Sequence, residues 1–251
     1  MSWQLTKASH IGGREEQQDR VAFFEDLEQA RYCAVLADGM GGHQGGAMAA
    51  QTLIDCTEQQ WQIPATPEIW LQNLCEQTHQ CIQALGEAHN INPRTTAVIV
   101  LIEKKRLYWT HIGDSRFYHI RGNRIIQQSE DHSVVQMLVA LGKITAEEMA
   151  NHPDQNRLIK SVGGKEALSI EIEQTKIKSG DRFALCSDGL WETITPNELI
   201  QASQQADLQQ STEQLVAQAA ERGGQAGDNI SLCFARYQAD SLWEKLSMPF
   251  F

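Results

Sequence analysis

At 251 residues the chain can bury a core of its own without disulfides or structural metals. Its 41% hydrophobic and 21% charged residues are those of an ordinary globular protein and exclude a disordered or membrane-spanning chain. Lysine and arginine number 21 against 32 aspartates and glutamates; the resulting net charge of -11 repels phosphate backbones and anionic headgroups, so no nucleic-acid or membrane partner is expected.

The opening MSWQLTKASHIGG lacks the apolar stretch of a secretory signal, and no window approaches the roughly 18 apolar residues of a membrane helix. Cys33, Cys56, Cys75, Cys81, Cys186 and Cys233 contain no CxxC pair and read as small buried hydrophobes in a reducing compartment, so a cytoplasmic protein is expected. No linker, repeat or low-complexity tract divides the chain, and one domain over residues 1–251 is the simplest organisation.

The first run rich in β-branched and aromatic residues, Arg31 to Ala37, predicts a strand. After Gly46, AMAAQTLIDCTEQQW reads as a helix, and Glu68 to His89 as a second, longer one started by Thr66 and Pro67. Thr96 to Glu103, Leu107 to Ile112 and Ser115 to Ile120 follow as strands with connections too short for helical crossovers, so the sheets are expected to be largely antiparallel. Thr145 with Glu148 predicts a further helix start. Beyond it come a strand at Arg182 to Cys186, helix starts at Thr195 with Glu198 and at Ser211 with Gln214, and a last strand at Asn229 to Tyr237. Strands with helices grouped in two blocks make an α+β protein.

Four aspartates stand at strand ends beside glycine: Asp38 after CAVLA, Asp114 after YWTHIG, Asp188 after FALCS, and Asp228 before NISLCF. Singly each is a turn residue. Brought to one sheet edge they would repel one another unless a cation held them, and all-oxygen ligation without a His/Cys cluster favours Mg²⁺ or Mn²⁺ over zinc. The glycine-rich DGMGGHQGG, Asp38 to Gly46, matches neither GxxxxGK[ST] nor GxGxxG, so no nucleotide-binding loop is supported. In GGREEQQD, Arg14 is either a surface ion-pair partner or a guanidinium able to fork onto two phosphate oxygens.

Taken in order, GGREEQQD, VLADGMGG, RTTAVIV, THIGDSRFY, EDHS, RLIKSVGG, LCSDGLWE and GDNIS resemble the PP2C-like family of metal-dependent serine/threonine protein phosphatases, in its bacterial form, over about residues 12 to 237. The resemblance implies an antiparallel β-sandwich flanked by helices on both sides, four layers deep in the order αββα. It implies that Asp38 and the Gly39 carbonyl hold two Mg²⁺ or Mn²⁺ ions, that Asp188 and Asp228 complete the site of one, and that Asp114 helps hold a weaker third. Arg14 then matches the phosphate-binding arginine and Asp19 an acidic residue at the metal's water shell. The implied reaction is direct attack of a metal-activated water on phosphoserine or phosphothreonine in proteins, opposing a serine/threonine kinase, by a monomeric enzyme.

Two positions depart from the family pattern. Met40 stands where eukaryotic members often carry a histidine general acid, which leaves His43 as the nearby candidate. Gln18 replaces an acidic residue often found before the equivalent of Asp19. The segment 132–156 falls where bacterial members have a flap; Met137, Leu138 and Leu141 there are either hinge packing or core. The apolar tail 240–251 is expected to pack on the body. The rival readings are a catalytically silent phosphatase-like binding module and a metal-dependent hydrolase of small phosphate esters.

Overall fold

The computed structural model describes residues 2–41, 45–145, 147–149 and 152–238. His43 and the tail 240–251 lie outside the described residues. In chain order the strands are β1 (Ser2–His10), β2 (Arg20–Asp26), β3 (Arg31–Ala37), β4 (Gly39–Met40), β5 (Arg94–Thr95), β6 (Ala97–Glu103), β7 (Arg106–Ile112), β8 (Arg116–Arg121), β9 (Arg124–Gln128), β10 (Glu173–Lys176), β11 (Arg182–Cys186) and β12 (Ile230–Gln238). Helices α1 (Gly45–Gln60) and α2 (Pro67–His89) follow β4; α3 (Val134–Ala140) follows β9; α4 (Asp188–Trp191), α5 (Pro196–Ser203) and α6 (Leu208–Gly223) lie between β11 and β12.

Two five-stranded sheets, ordered β1-β12-β11-β8-β9 and β10-β7-β6-β3-β2, are antiparallel at every pairing. The central strands are apolar on both faces because both faces are covered. Along β3, Tyr32, Ala34 and Leu36 join the core between the sheets, while Cys33, Val35 and Ala37 face α1 and α2. On the other sheet Phe183 and Leu185 of β11 enter the central core, whereas Ala184 and Cys186 pack under α5 and α6. Period-two alternation between three apolar layers is what stacks helix, sheet, sheet and helix, the expected αββα order.

Local signals at the helix starts hold where side chains close them. Thr66 accepts from the Ile69 amide ahead of Pro67, and Thr195 with Glu198 forms a reciprocal capping box on α5. Ser211 does not start a helix: α6 begins after Asp207, whose carboxylate accepts from the Gln210 amide, and the Ser211 hydroxyl is spent on the Ala202 carbonyl. At Thr145 the amide donates to Glu148 at 2.7 Å, but the described residues 147–149 form a turn and no α-helix. Cys81 departs from the buried-thiol reading, being exposed on α2. Met137 and Leu141 are exposed, which removes them from the core; Val135 is the residue of α3 that is buried. No helix of the described residues is long and apolar enough to cross a membrane.

Candidate active site

The two sheets end together in a cleft of about 580 Å³. Asp38 arrives from the second sheet, immediately after β3, and Asp188 and Asp228 from neighbouring strands of the first, after β11 and before β12. The site is thus made across the sandwich rather than along one sheet edge. Asp114 enters from the short turn between β7 and β8, and Arg14 from the loop after β1. All five side chains and Gly39 line the cleft, together with Glu15, Glu16, Asn156 and Leu158.

Asp38 and the Arg14 loop are held by hydrogen bonds from motifs distant in sequence. The Asp38 amide donates to Thr96 Oγ1 at 3.0 Å, and its carbonyl accepts from the Thr96 amide at 2.8 Å and from Thr95 Oγ1 at 3.0 Å, which explains the paired threonines of RTTAVIV. Gly39 admits no side chain: a Cβ there would stand 2.1 Å from the Gly46 carbonyl oxygen, so the first turn of α1 closes directly on the Gly39 peptide. The Arg14 loop is bound by Asn229, whose Nδ2 donates to the carbonyls of Ile11 (2.8 Å) and Glu16 (3.0 Å) and whose Oδ1 accepts from the Gln18 amide (2.7 Å). Asn229 is buried, so Asn229→Ala leaves those groups without their partner; we expect about 2 kcal/mol lower stability in urea titration and a KM for phosphopeptide raised several-fold as Arg14 loses its anchor. Unchanged kinetics and stability would contradict that role.

The electrostatics are those of crowded like charges. Burial lifts the Asp38 carboxyl well above the usual range, and repulsion from Asp188, Asp19, Asp114 and Asp228 adds to it. Asp188 is raised in the same way, by burial and then by Asp114, Asp228, Glu192 and Asp19. Burial and Asp131 push Asp114 up to about 6. Asp19 is buried behind the cleft; burial pushes it up to about 6 against the hydrogen bonds of Ser187 and Ser231, with Ser187 Oγ donating to its Oδ2 at 2.8 Å. Asp19 Oδ1 and Asp188 Oδ1 are buried without a hydrogen-bond partner.

Arg14 Nη2 donates to Asp228 Oδ2 at 2.6 Å, so the surface ion-pair reading of Arg14 and its place in the cleft both hold. With side chains 56% and 38% exposed the pair is worth at most about 1 kcal/mol and readily yields to a stronger anion. Among the described residues no three His, Cys, Asp or Glu side chains close into a compact ligand shell; the carboxylates stand around the cleft rather than at one point. An all-oxygen donor set nevertheless fits a hard divalent cation, which would relieve both the two unpartnered buried carboxylate oxygens and the mutually raised carboxyls. Asn229, Thr95, Thr96, Ser187 and Glu192 were not singled out by spacing. Asn229, Ser187 and Glu192 each share a quoted motif with an aspartate, whereas Thr95 and Thr96 lie in RTTAVIV, far from any aspartate in sequence, and only the pairing of elements brings them to Asp38.

The family model for protein phosphatase 2C matches residues 6–229. The protein phosphatase PhpP of Streptococcus pneumoniae is 35% identical over 210 residues, spanning 80% of this chain and 84% of its own. Among solved structures, the S. agalactiae serine/threonine phosphatase superposes with a TM-score of 0.87 at 28% identity, over 95% of this chain and 100% of that one. The catalytic domain of the serine/threonine protein phosphatase PstP, solved with two manganese ions, superposes with a TM-score of 0.82 at 28% identity, over 94% of this chain and 99% of that one. A match running from the first strand to the last cleft aspartate, joined to likeness in both sequence and fold, means that the chain belongs to the protein phosphatase 2C family of serine/threonine protein phosphatases.

Proposed function

We propose that the chain hydrolyses phosphoserine and phosphothreonine esters in proteins at a centre of two Mg²⁺ or Mn²⁺ ions, with a third held more weakly. The observation that carries the reading is the convergence of Asp38, Asp188, Asp228 and Asp114 on one cleft with the Arg14 guanidinium among them. Asp38, the Gly39 carbonyl, Asp188 and Asp228 would hold the two ions, Asp114 would serve the third, and Asp19 would act through water. Bound divalent cations supply an activated water and neutralise charge developing at phosphorus.

The chain's own groups do the rest. Arg14, released from Asp228, forks onto two non-reacting phosphate oxygens and orients the ester. The surrounding carboxylates repel a phosphate dianion in the absence of cations, so substrate binding is itself metal-dependent. Asn156, at the end of the 132–156 segment, and Leu158 just beyond it line the cleft where a peptide flanking the phosphoresidue would lie, consistent with a flap on a single phosphatase domain. A phosphoprotein substrate implies an opposing serine/threonine kinase.

The test is phosphate release from a phosphothreonine peptide with Mn²⁺, with Mg²⁺ and with chelator. We expect turnover with metal, none with chelator, and a fall of about 10²-fold in kcat/KM for Arg14→Ala. A folded protein that releases no phosphate with either metal would overturn the reading.

A further inference from the structure

The Asp114 edge of the cleft is assembled by three segments far apart in sequence. Strand β7 ends at Ile112 and β8 begins at Arg116, so the intervening turn lacks ladder partners of its own. Its Asp114 carbonyl accepts from Trp191 Nε1 at 2.9 Å. Trp191 is the last residue of α4, whose first residue is Asp188, so one indole links the peptide of one cleft aspartate to the helical turn of another. Arg116 lies over the indole face, its guanidinium carbon 3.5 Å from the ring centroid. That guanidinium is fixed in turn by a fork onto Asp131, with Nε to Oδ1 at 2.9 Å and Nη2 to Oδ2 at 2.7 Å, and Asp131 is buried. The next residue, His132, closes the arrangement: its amide donates to the Gly113 carbonyl at 2.9 Å and its Nδ1 accepts from the Gly113 amide at 3.2 Å.

We infer that Trp191, clamped by the Arg116–Asp131 pair, is a positioning residue for the phosphatase reaction: it holds the Asp114 peptide at a set distance from Asp188 and ties both to the base of the 132–156 segment. The inference rests on the proposed placement of Asp114 at the metal-holding cleft. His132 holds the turn at Gly113, and the indole N–H directed at the Asp114 carbonyl restrains the Asp114 peptide itself while leaving its carboxylate available. Arg116 serves the indole twice, as a flat cation on its face and as a rigid fork to Asp131, and lysine can do neither.

The experiment compares Trp191→Phe, Arg116→Lys and Asp114→Asn with wild type in the full chain. It reads Mn²⁺ affinity by calorimetry, kcat and KM on a phosphothreonine peptide, and Tm without metal. Phenylalanine keeps a ring face for Arg116 and deletes the donor to Asp114 together with part of the indole's bulk, whose packing contribution the metal-free Tm reports. We expect Trp191→Phe to weaken Mn²⁺ binding and lower kcat, each about five- to tenfold, with KM changed less than twofold and Tm nearly unchanged. Arg116→Lys should shift the same quantities in the same direction, and it carries the test if Trp191→Phe fails to fold. Wild-type Mn²⁺ affinity and kcat with a lowered Tm would make the indole mere packing and overturn the inference. If Asp114→Asn weakens Mn²⁺ binding while the other two variants do not, the positioning role fails alone. If Asp114→Asn also leaves Mn²⁺ affinity unchanged, the placement of Asp114 at the metal centre fails with it.

Discussion

Asp188→Asn is expected to lower phosphate release by about 10³-fold or more, while the metal-free variant melts no lower than the wild type. The two effects have one cause. Asp188 stands at the end of β11 with Oδ1 buried and unpartnered, and its carboxyl is lifted by burial and by the repulsion of Asp114, Asp228, Glu192 and Asp19. A carboxyl whose folded pKa lies above its unfolded value disfavours the folded state at neutral pH, where it is ionised in the unfolded chain. Asparagine has the same shape without the charge, so it removes repulsion and leaves packing intact, a gain of up to about 1 kcal/mol without metal. The same substitution removes an anionic donor that a cation requires. Thermal melting in chelator beside turnover with Mn²⁺ separates the two halves. Activity within tenfold of wild type would sink the assignment of Asp188, and a strongly lowered melting point in chelator would show that its charge is structural.

Asp181→Asn should do the reverse, costing about 3 kcal/mol of stability with little change in turnover per folded molecule. Asp181 is fully buried and lies just before β11, away from the cleft lining. Its carboxylate accepts from Arg121 Nε at 2.6 Å and Nη2 at 2.8 Å and from the Lys178 amide at 2.8 Å, with His119 Nε2 3.1 Å away. Burial alone would raise this carboxyl; the bonds from Arg121, His119 and the Lys178 amide outweigh it and hold it well below the usual range. A depressed folded pKa contributes stability above the unfolded carboxylate value, near pH 4, and that stability is lost as pH falls below it toward the folded value. Wild type should therefore lose stability steeply below about pH 4, and Asp181→Asn should lose less over the same interval. Urea titrations at pH 7 and pH 3 give both numbers. Equal acid sensitivity in the two proteins would assign the acid limb to other carboxylates.

The strands legible in advance were those with two covered faces. Arg31 to Ala37 and Arg182 to Cys186 matched their predicted ends, because burial on both faces demands a continuous apolar run. Strand β10, EQTK, offers no such run; it lies at a sheet edge, held by its register against Arg106 to Trp109 of β7. Strand β1 is equally hard to read locally, since Trp3 and Leu5 alternate with Gln4 and Thr6 over a short segment without a continuous apolar run. The helix start assigned to Ser211 failed for a related reason. The serine–glutamine spacing fits a cap, but Asp207 stands one turn earlier and caps better, and only the packing of α6 on α5 shows that the Ser211 hydroxyl is engaged with Ala202.

Sequence alone determined the α+β class, the antiparallel connections and the set of aspartates worth watching, because caps, turns and alternation act within a few residues. It also carried the family resemblance, through short motifs in a fixed order. Tertiary structure alone decided that Asp38 faces the same cleft as Asp188 and Asp228 across the sandwich, that Asn229 anchors the Arg14 loop, and that Trp191 reaches the Asp114 carbonyl. Those contacts join residues far apart in the chain, 77 positions for Trp191 and Asp114 and 218 for Asn229 and Ile11; their distances follow from strand order and layer packing, which no local pattern encodes.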